Sequence, residues 1–195
     1  MIEVEIGPVV RLQVQTESLK RGERPCRIYD PAPLLQVESL RLSRAGALGL
    51  TSDGGEIPDV HHAAHPRSLK SPGREVSFGF TAHYAAMQDR YGARVTRGCA
   101  GENILIETPR VWGLGDLGSG LAFRSATTGE LLSLEEASVA APCVEFSRFA
   151  LNSFEASPQE LKPVLQFLDG GTRGYVFTPA GAFTLGVGDV LVRPS

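Results

Sequence analysis

No stretch of the chain approaches the roughly 20 consecutive apolar residues that a membrane-spanning helix needs, so no span is expected. The first residues, Met1-Ile2-Glu3-Val4-Glu5, carry acids where a secretory leader would have a basic patch followed by an apolar run. These two absences predict a cytoplasmic protein. Positive charge is not in excess either: 19 Lys and Arg stand against 22 Asp and Glu, for a formal net charge of −3. Without a basic field, binding to a nucleic-acid backbone is not expected. Cysteine is scarce. Cys26, Cys99 and Cys143 are odd in number and widely spaced, which excludes a disulfide framework. No CxxC or CxxH pair exists to hold a structural zinc. A Walker-type phosphate loop, a GxGxxG following a strand and a GxSxG elbow are also missing, which removes support for ATPase, dehydrogenase and serine-hydrolase chemistry.

What is present is ordinary for a packed core: 195 residues, 42% of them hydrophobic. At roughly 100–200 residues per domain, residues 1–195 are read as one domain. The 22 glycines and 13 prolines are spread along the whole length. Helical periodicity is scarce, so many short strands and turns are expected. Val10 to Gln15 alternates apolar and polar as a half-buried strand does. Leu34–Leu42, Asn103–Ile106, Val139–Phe146, Gly174–Thr178 and Val190–Val192 are further strand candidates. Leu121–Ser125 and Glu130–Leu134 form a predicted hairpin around Thr127-Thr128-Gly129. Lys20 to Pro33 and Thr51 to Pro72 are polar, proline-punctuated loops, and the second is long enough to be functional or mobile.

Two helices are predicted. Val76, Phe80, Tyr84, Met87 and Tyr91 fall at spacings of four, four, three and four, and Gly92 follows as a stop. Ser157-Pro158-Gln159-Glu160 reads as a capping box with proline in the first turn, ahead of Leu161, Val164, Leu165 and Leu168. Pro163 conflicts with one continuous helix there, and Gly170-Gly171 ends it.

Several residues could carry chemistry. Cys143, in Ala140-Ala141-Pro142-Cys143-Val144-Glu145-Phe146, is on base rates a small buried hydrophobe. The functional alternative is a thiolate nucleophile or metal ligand, re-aimed by Pro142 at a strand start or bulge, with Arg148 as a nearby cation. Cys99 sits in a turn crowded with Gly98, Ala100 and Gly101. Either this is only a tight turn, or its amides and Asn103 line an anionic ligand. His61, His62 and His65 follow Asp59; a metal site is conceivable, and a solvated loop is the commoner outcome. Arg67, Ser68 and Lys70 could together hold a phosphate or could be a surface charge run. His83 reads as a histidine at the border of a helix core.

In order along the chain these elements resemble the MOSC family, the domain first described at the carboxyl end of molybdenum-cofactor sulfurases. Gly101-Glu102-Asn103-Ile104 is similar to its GEN signature, and Pro142-Cys143 to its proline–cysteine motif. His65-Pro66-Arg67-Ser68-Leu69 resembles the segment before its helix. Arg173-Gly174-Tyr175-Val176-Phe177 and Gly186-Val187-Gly188-Asp189-Val190-Leu191-Val192 resemble its closing strands. The likeness runs from about Val9 to Pro194 and departs at the family's early Gly-Asp-Arg/His signature, since Gly49 is followed by Leu50.

The resemblance implies a mainly β domain with a few helices, a MOSC-like β-barrel. It also implies a ligand, the molybdopterin form of molybdenum cofactor. Cys143 would be the molybdenum ligand or a sulfur carrier, and Arg67, Ser68, Gly101, Glu102 and Asn103 would line the cofactor pocket. Three functions follow as alternatives: a reductase of small N-oxygenated compounds, a carrier holding a persulfide on Cys143, or a binding domain that has lost the cofactor. No pyridoxal-dependent sulfurase segment, iron–sulfur motif or flavin motif is present. A sulfur donor or acceptor protein, or an external electron donor, is therefore the expected partner.

Overall fold

A computed structural model describes residues 3–194. The strands are β1 (Glu3–Gln15), β2 (Lys20–Arg21), β3 (Ile28–Tyr29), β4 (Leu34–Val37), β5 (Ser39–Ser43), β6 (Gly46–Leu50), β7 (Glu56–Pro58), β8 (Val76–Phe80), β9 (Ile104–Ile106), β10 (Ala122–Arg124), β11 (Leu131–Val139), β12 (Tyr175–Pro179), β13 (Phe183–Gly186) and β14 (Val190–Pro194). The helices are α1 (Thr81–Tyr91), α2 (Leu114–Leu117), α3 (Val144–Leu151) and α4 (Pro158–Leu168). The expected mainly β architecture is what the structure has.

The main sheet runs β14-β10-β11-β12-β8-β9-β1 and closes on itself, because β14 also pairs with β1. This is a seven-stranded barrel, and closure removes the exposed edges that an open sheet would present. The long strand β1 makes closure possible. Its register shifts between Glu5 and Gly7 against β14, and again between Val9 and Arg11 against β9, and such bulges let a strand bend. At Gly7 the approach is so close that a Cβ would lie 2.0 Å from the Glu107 carbonyl oxygen. The parallel pair β8–β9 is bridged by α1, and β4 extends the sheet beyond β1. A second sheet, β13-β5-β6-β7, and the short β2–β3 pair flank the barrel.

The barrel interior holds Leu12, Phe78, Phe80, Phe123, Tyr175 and Phe177, none of them exposed to solvent. Phe78 stacks on Tyr175 at 5.2 Å. Removing one such ring typically costs about 3–5 kcal/mol. A second core lies outside the barrel, where Tyr84 and Met87 of α1 meet Phe146 of α3 and Val164 and Leu168 of α4.

Several sequence expectations are corrected. The stripe from Val76 to Tyr91 is not one helix: Val76–Phe80 is strand β8, and only Thr81–Tyr91 is helical. A spacing of four places residues on one face of a strand as well as of a helix, and pairing with β9 and β12 decides for the strand. Leu34–Leu42 divides at Glu38 into strands belonging to different sheets. Val139–Phe146 is not a strand. β11 ends at Val139, and helix α3 starts just after Cys143. Pro163 does not interrupt α4. It lies on the exposed face and removes only the bond that the Gln159 carbonyl, also exposed, would have accepted. The 121–134 hairpin and the Ser157–Glu160 capping box form as expected, with Glu160 Oε2 accepting from Ser157 N at 2.8 Å.

Candidate functional site

The GEN segment lies in the loop between α1 and β9, and this loop is tied down from three sides. From β1, the Gln13 side-chain amide donates to the carbonyl oxygens of Gly98 at 2.8 Å and Glu102 at 2.7 Å. From α1, the Tyr84 hydroxyl accepts from Ala100 N at 3.0 Å and donates to Glu102 Oε2 at 2.8 Å. From β3, the Tyr29 hydroxyl donates to the Cys99 carbonyl at 2.8 Å. The turn needs glycine at position 101. Its φ is +90°, and a Cβ would come within 2.6 Å of Leu19 Cδ1.

Cys143 arrives from the other side of the pocket. It caps α3 at its amino end with φ −123° and ψ 153°, the extended geometry usual at that position. Its side chain makes no capping bond, so the thiol is left to the pocket rather than to the helix. Arg173 joins the two motifs: one guanidinium nitrogen donates to Ala141 O at 3.0 Å and another to Ala100 O at 3.4 Å. The same guanidinium lies 5.5 Å from the centre of the Phe146 ring.

Between them lies a cavity of about 320 Å³. Cys143, Gly101, Glu102 and Asn103 line it, together with the cations Lys20, Arg74 and Arg173 and with His61. A volume in the range of roughly 300–1,000 Å³ suits a small ligand. Three cations in its lining favour an anionic one, on a chain whose overall charge is negative.

The residues expected in the pocket play different parts. Glu102 is buried, and burial pushes its carboxyl up to about 7, opposed first by its own backbone N–H, then by the Tyr84 hydrogen bond and the Arg173 and Arg11 charges. Its Oε1 has no hydrogen-bond partner among the described residues. Asn103, by contrast, is fully engaged within the protein. Its oxygen accepts from Ser77 N at 3.1 Å and Ser77 Oγ at 3.2 Å, and its nitrogen donates to Asp59 Oδ2 at 2.8 Å and Gln13 O at 3.3 Å. Asn103 therefore acts through Asp59. That carboxylate, wholly buried, also accepts from Gln15 N at 2.7 Å, and its other oxygen holds His61 through the backbone N at 2.8 Å and Nδ1 at 2.9 Å.

Arg67 and Ser68 lie outside this cavity, on the exposed surface. Arg67 lines a neighbouring depression with Lys20, Arg21 and His65, and Lys20 borders both hollows. The three loop histidines do not converge. His62 Nδ1 accepts from Ala64 N, and His65 bonds the Thr16 carbonyl through Nε2 and accepts from Arg67 N through Nδ1. Among the described residues no group of three or more His, Cys, Asp or Glu forms a metal site. Cys99 is buried and its thiol is pushed up to about 12, chiefly by desolvation and then by Glu102, so it is no working nucleophile at neutral pH. Arg148, which sequence suggested as the cation beside Cys143, is replaced in that place by Arg173. Lys20, Arg74, Tyr84 and Arg173 are not among the site candidates of the sequence, and Asp59 and His61 are candidates there only as part of a possible metal cluster. Their sequence signal is weak because each reaches the pocket from a different element.

No family model matches the chain, and no curated protein matches it in sequence. Solved structures do. YuaD from Bacillus subtilis superposes with a TM-score of 0.61 at 13% identity, covering 100% of this chain and 99% of that one. YiiM from Escherichia coli gives 0.51 at 14% identity over 83% of this chain and 65% of that one. YiiM from Geobacillus stearothermophilus gives 0.50 at 13% identity, covering 100% and 76%. YiiM is a MOSC-domain protein. The chain has a MOSC-like barrel fold. In this MOSC-like barrel the proline–cysteine and GEN segments meet across one cavity although about 40 residues separate them in sequence. Among the described residues no helix is long and apolar enough to cross a membrane.

Proposed function

We propose that this chain is a MOSC-domain protein that binds the molybdopterin form of molybdenum cofactor and uses it to reduce small N-oxygenated compounds. The observation that carries the reading is the convergence of Cys143, the GEN loop and the cations Lys20, Arg74 and Arg173 on one cavity. The residues fit such a group. A thiol supplies the soft ligand that molybdenum favours. The cations match a phosphate, with Arg173 already oriented by two backbone carbonyls.

When bound, the cofactor supplies two-electron redox chemistry, and the protein supplies a thiolate and a shaped, charged pocket. Arg173 would hold the phosphate and keep the Cys143 and GEN loops in register. The Asp59–His61 pair presents an imidazole fixed at Nδ1, leaving Nε2 to exchange a proton with a substrate. The half-buried position of Cys143 supports a second reading, in which the sulfur is reachable by a partner protein and carries a persulfide.

The test is molybdenum per chain, measured by elemental mass spectrometry on protein purified from a host that makes the cofactor, beside Cys143→Ser. Near-stoichiometric metal that falls in the variant is the expected result. Metal in neither sample would overturn the cofactor reading. A persulfide mass shift on Cys143 would then decide for the carrier.

A further inference from the structure

We propose that the hollow beside the cavity, lined by Lys20, Arg21, His65 and Arg67, binds the anionic group of the substrate, so that the compounds this protein takes are N-oxygenated molecules carrying a carboxylate or phosphate. The inference rests on the reading of the cavity as a cofactor pocket and adds to it the class of molecule that sits outside it.

Space is the first argument. A cavity of about 320 Å³ is near the lower end of what one small ligand fills, so with a cofactor inside it leaves no second compartment for a substrate. The substrate then lies at the mouth. The adjoining hollow offers about 530 Å³, and the two share Ser18, Lys20 and Leu69 as a common border. Lys20 also reaches toward the segment that carries Cys143. Its Nζ is 3.7 Å from Glu145 Oε2, two residues beyond that cysteine in the first turn of α3. Leu69 is 51% exposed and gives the border an apolar face, on which a ring can lie while its two ends reach to either side.

Charge and anchoring are the second. Several exposed arginines are matched by carboxylates: Arg41 by Glu56, Arg44 by Glu135, Arg124 by Glu3 and Glu5. The guanidinium of Arg67 makes no ion pair or hydrogen bond among the described residues, and its backbone is nevertheless fixed. Arg67 N donates to His65 Nδ1 at 3.0 Å, and His65 Nε2 donates to the Thr16 carbonyl at 3.1 Å, just past the end of β1. Ser68 N to His65 O at 3.1 Å and Leu69 N to Val60 O at 2.7 Å close the turn. His65 is therefore a positioning residue. It holds the base of an unengaged planar fork, the group that grips a carboxylate or phosphate by two parallel hydrogen bonds. Around it, Arg21 is held by Asp30 at 2.9 Å, while the contact of Lys20 with Glu145 is long enough to leave its ammonium available. Glu17 is the one acid among the described lining residues, against three cations, so the field in the hollow is positive.

The experiment is calorimetric titration with two probes of one shape, benzamidoxime and its para-carboxylate, on protein from a host that makes molybdenum cofactor. Wild type, Arg67→Ala, Arg67→Lys and Arg74→Ala are compared. The carboxylate should bind the wild type about tenfold tighter than the uncharged parent. That gap should close in Arg67→Ala, return in part in Arg67→Lys, and narrow as salt rises from about 50 mM to about 500 mM. Equal affinities in the wild type overturn the inference, and so does a wild type that binds neither probe. A gap that survives Arg67→Ala but closes in Arg74→Ala overturns it as well, because Arg74 lines the cavity and Arg67 does not. The molybdenum content of the same samples separates the two readings. Metal retained with no gap ends the role of Arg67 and leaves the cofactor reading standing. A gap that depends on Arg67 in protein without metal supports the hollow as an anion site and ends the cofactor reading.

Discussion

Replacing Glu102 by glutamine should make the ligand-free protein more stable at alkaline pH while changing it little in acid. In the unfolded chain this carboxyl ionises at about 4.5, and in the folded chain burial holds it up to about 7. Between those two values the folded state binds more protons than the unfolded one, so stability declines as pH rises through the window and levels off above it. At about 1.36 kcal/mol per tenfold, the difference between 4.5 and about 7 is a loss of about 3 kcal/mol. The amide of the Glu102→Gln variant has nothing to ionise and escapes the loss. It can still accept the Tyr84 hydrogen bond, so its intrinsic effect is a constant offset. The assay is urea unfolding of both proteins at several pH values from about 5 to about 8. Part of that loss has already occurred at pH 5, leaving about 2.5 kcal/mol across the range, so with an m-value of about 2 kcal/mol/M the midpoint of the variant should gain about 1.2 M on the wild type. Histidines and surface carboxylates titrate alike in both proteins and drop out of the difference. Parallel midpoints would refute the reasoning, because they would mean that the carboxyl is ionised in the fold at no unusual cost.

The same loops make two further expectations testable. With a thiol reagent under native conditions, the exposed Cys26 and the half-buried Cys143 should react and the buried Cys99 should not; Cys99 should label only on unfolding, and its early labelling would contradict the packed turn. Asn103→Ala leaves the buried Asp59 one donor short and should cost about 2–3 kcal/mol by thermal or urea unfolding, and Asn103→Asp, which sets a second carboxylate 2.8 Å from Asp59 Oδ2, should cost more; equal or negligible losses would show that Asn103 does not act through Asp59.

How much of this is legible in the sequence depends on the range of the interaction. The Ser157–Glu160 cap and the 121–134 hairpin are legible because each is settled by neighbours within a few residues. Val76–Phe80 reads as helix for the opposite reason. Its strand character comes from pairing with β9 and β12, the latter about 100 residues away, and a four-residue spacing is the same on either element. Cys143 reads as a strand residue because its neighbours are apolar and small. Yet Pro142 ends the extended run, and Phe146, Phe149 and Ala150 turn toward Tyr29 and the α4 core only as a helix.

The site divides in the same way. The GEN and proline–cysteine segments are visible as short words, but the words do not state their roles. Asn103 looks like a ligand contact in sequence, since a polar side chain beside two glycines has no other evident use. In the fold all of its hydrogen bonds go to Ser77, Gln13 and Asp59. Glu102 beside it enters the expected pocket only through the motif it belongs to, and it is the one left buried with an oxygen unpartnered. What separates them is the direction each side chain takes from the loop, set by Gly101 at φ +90° and by the anchors Gln13 and Tyr84. Those anchors lie about 90 and about 20 residues away, so no local pattern encodes the distinction. If the pocket works as argued, exchanging the two roles should be impossible by local substitution. A carboxylate at 103 meets Asp59 and an amide at 102 loses the pH dependence, so each position is fixed by its distant partners rather than by the motif itself.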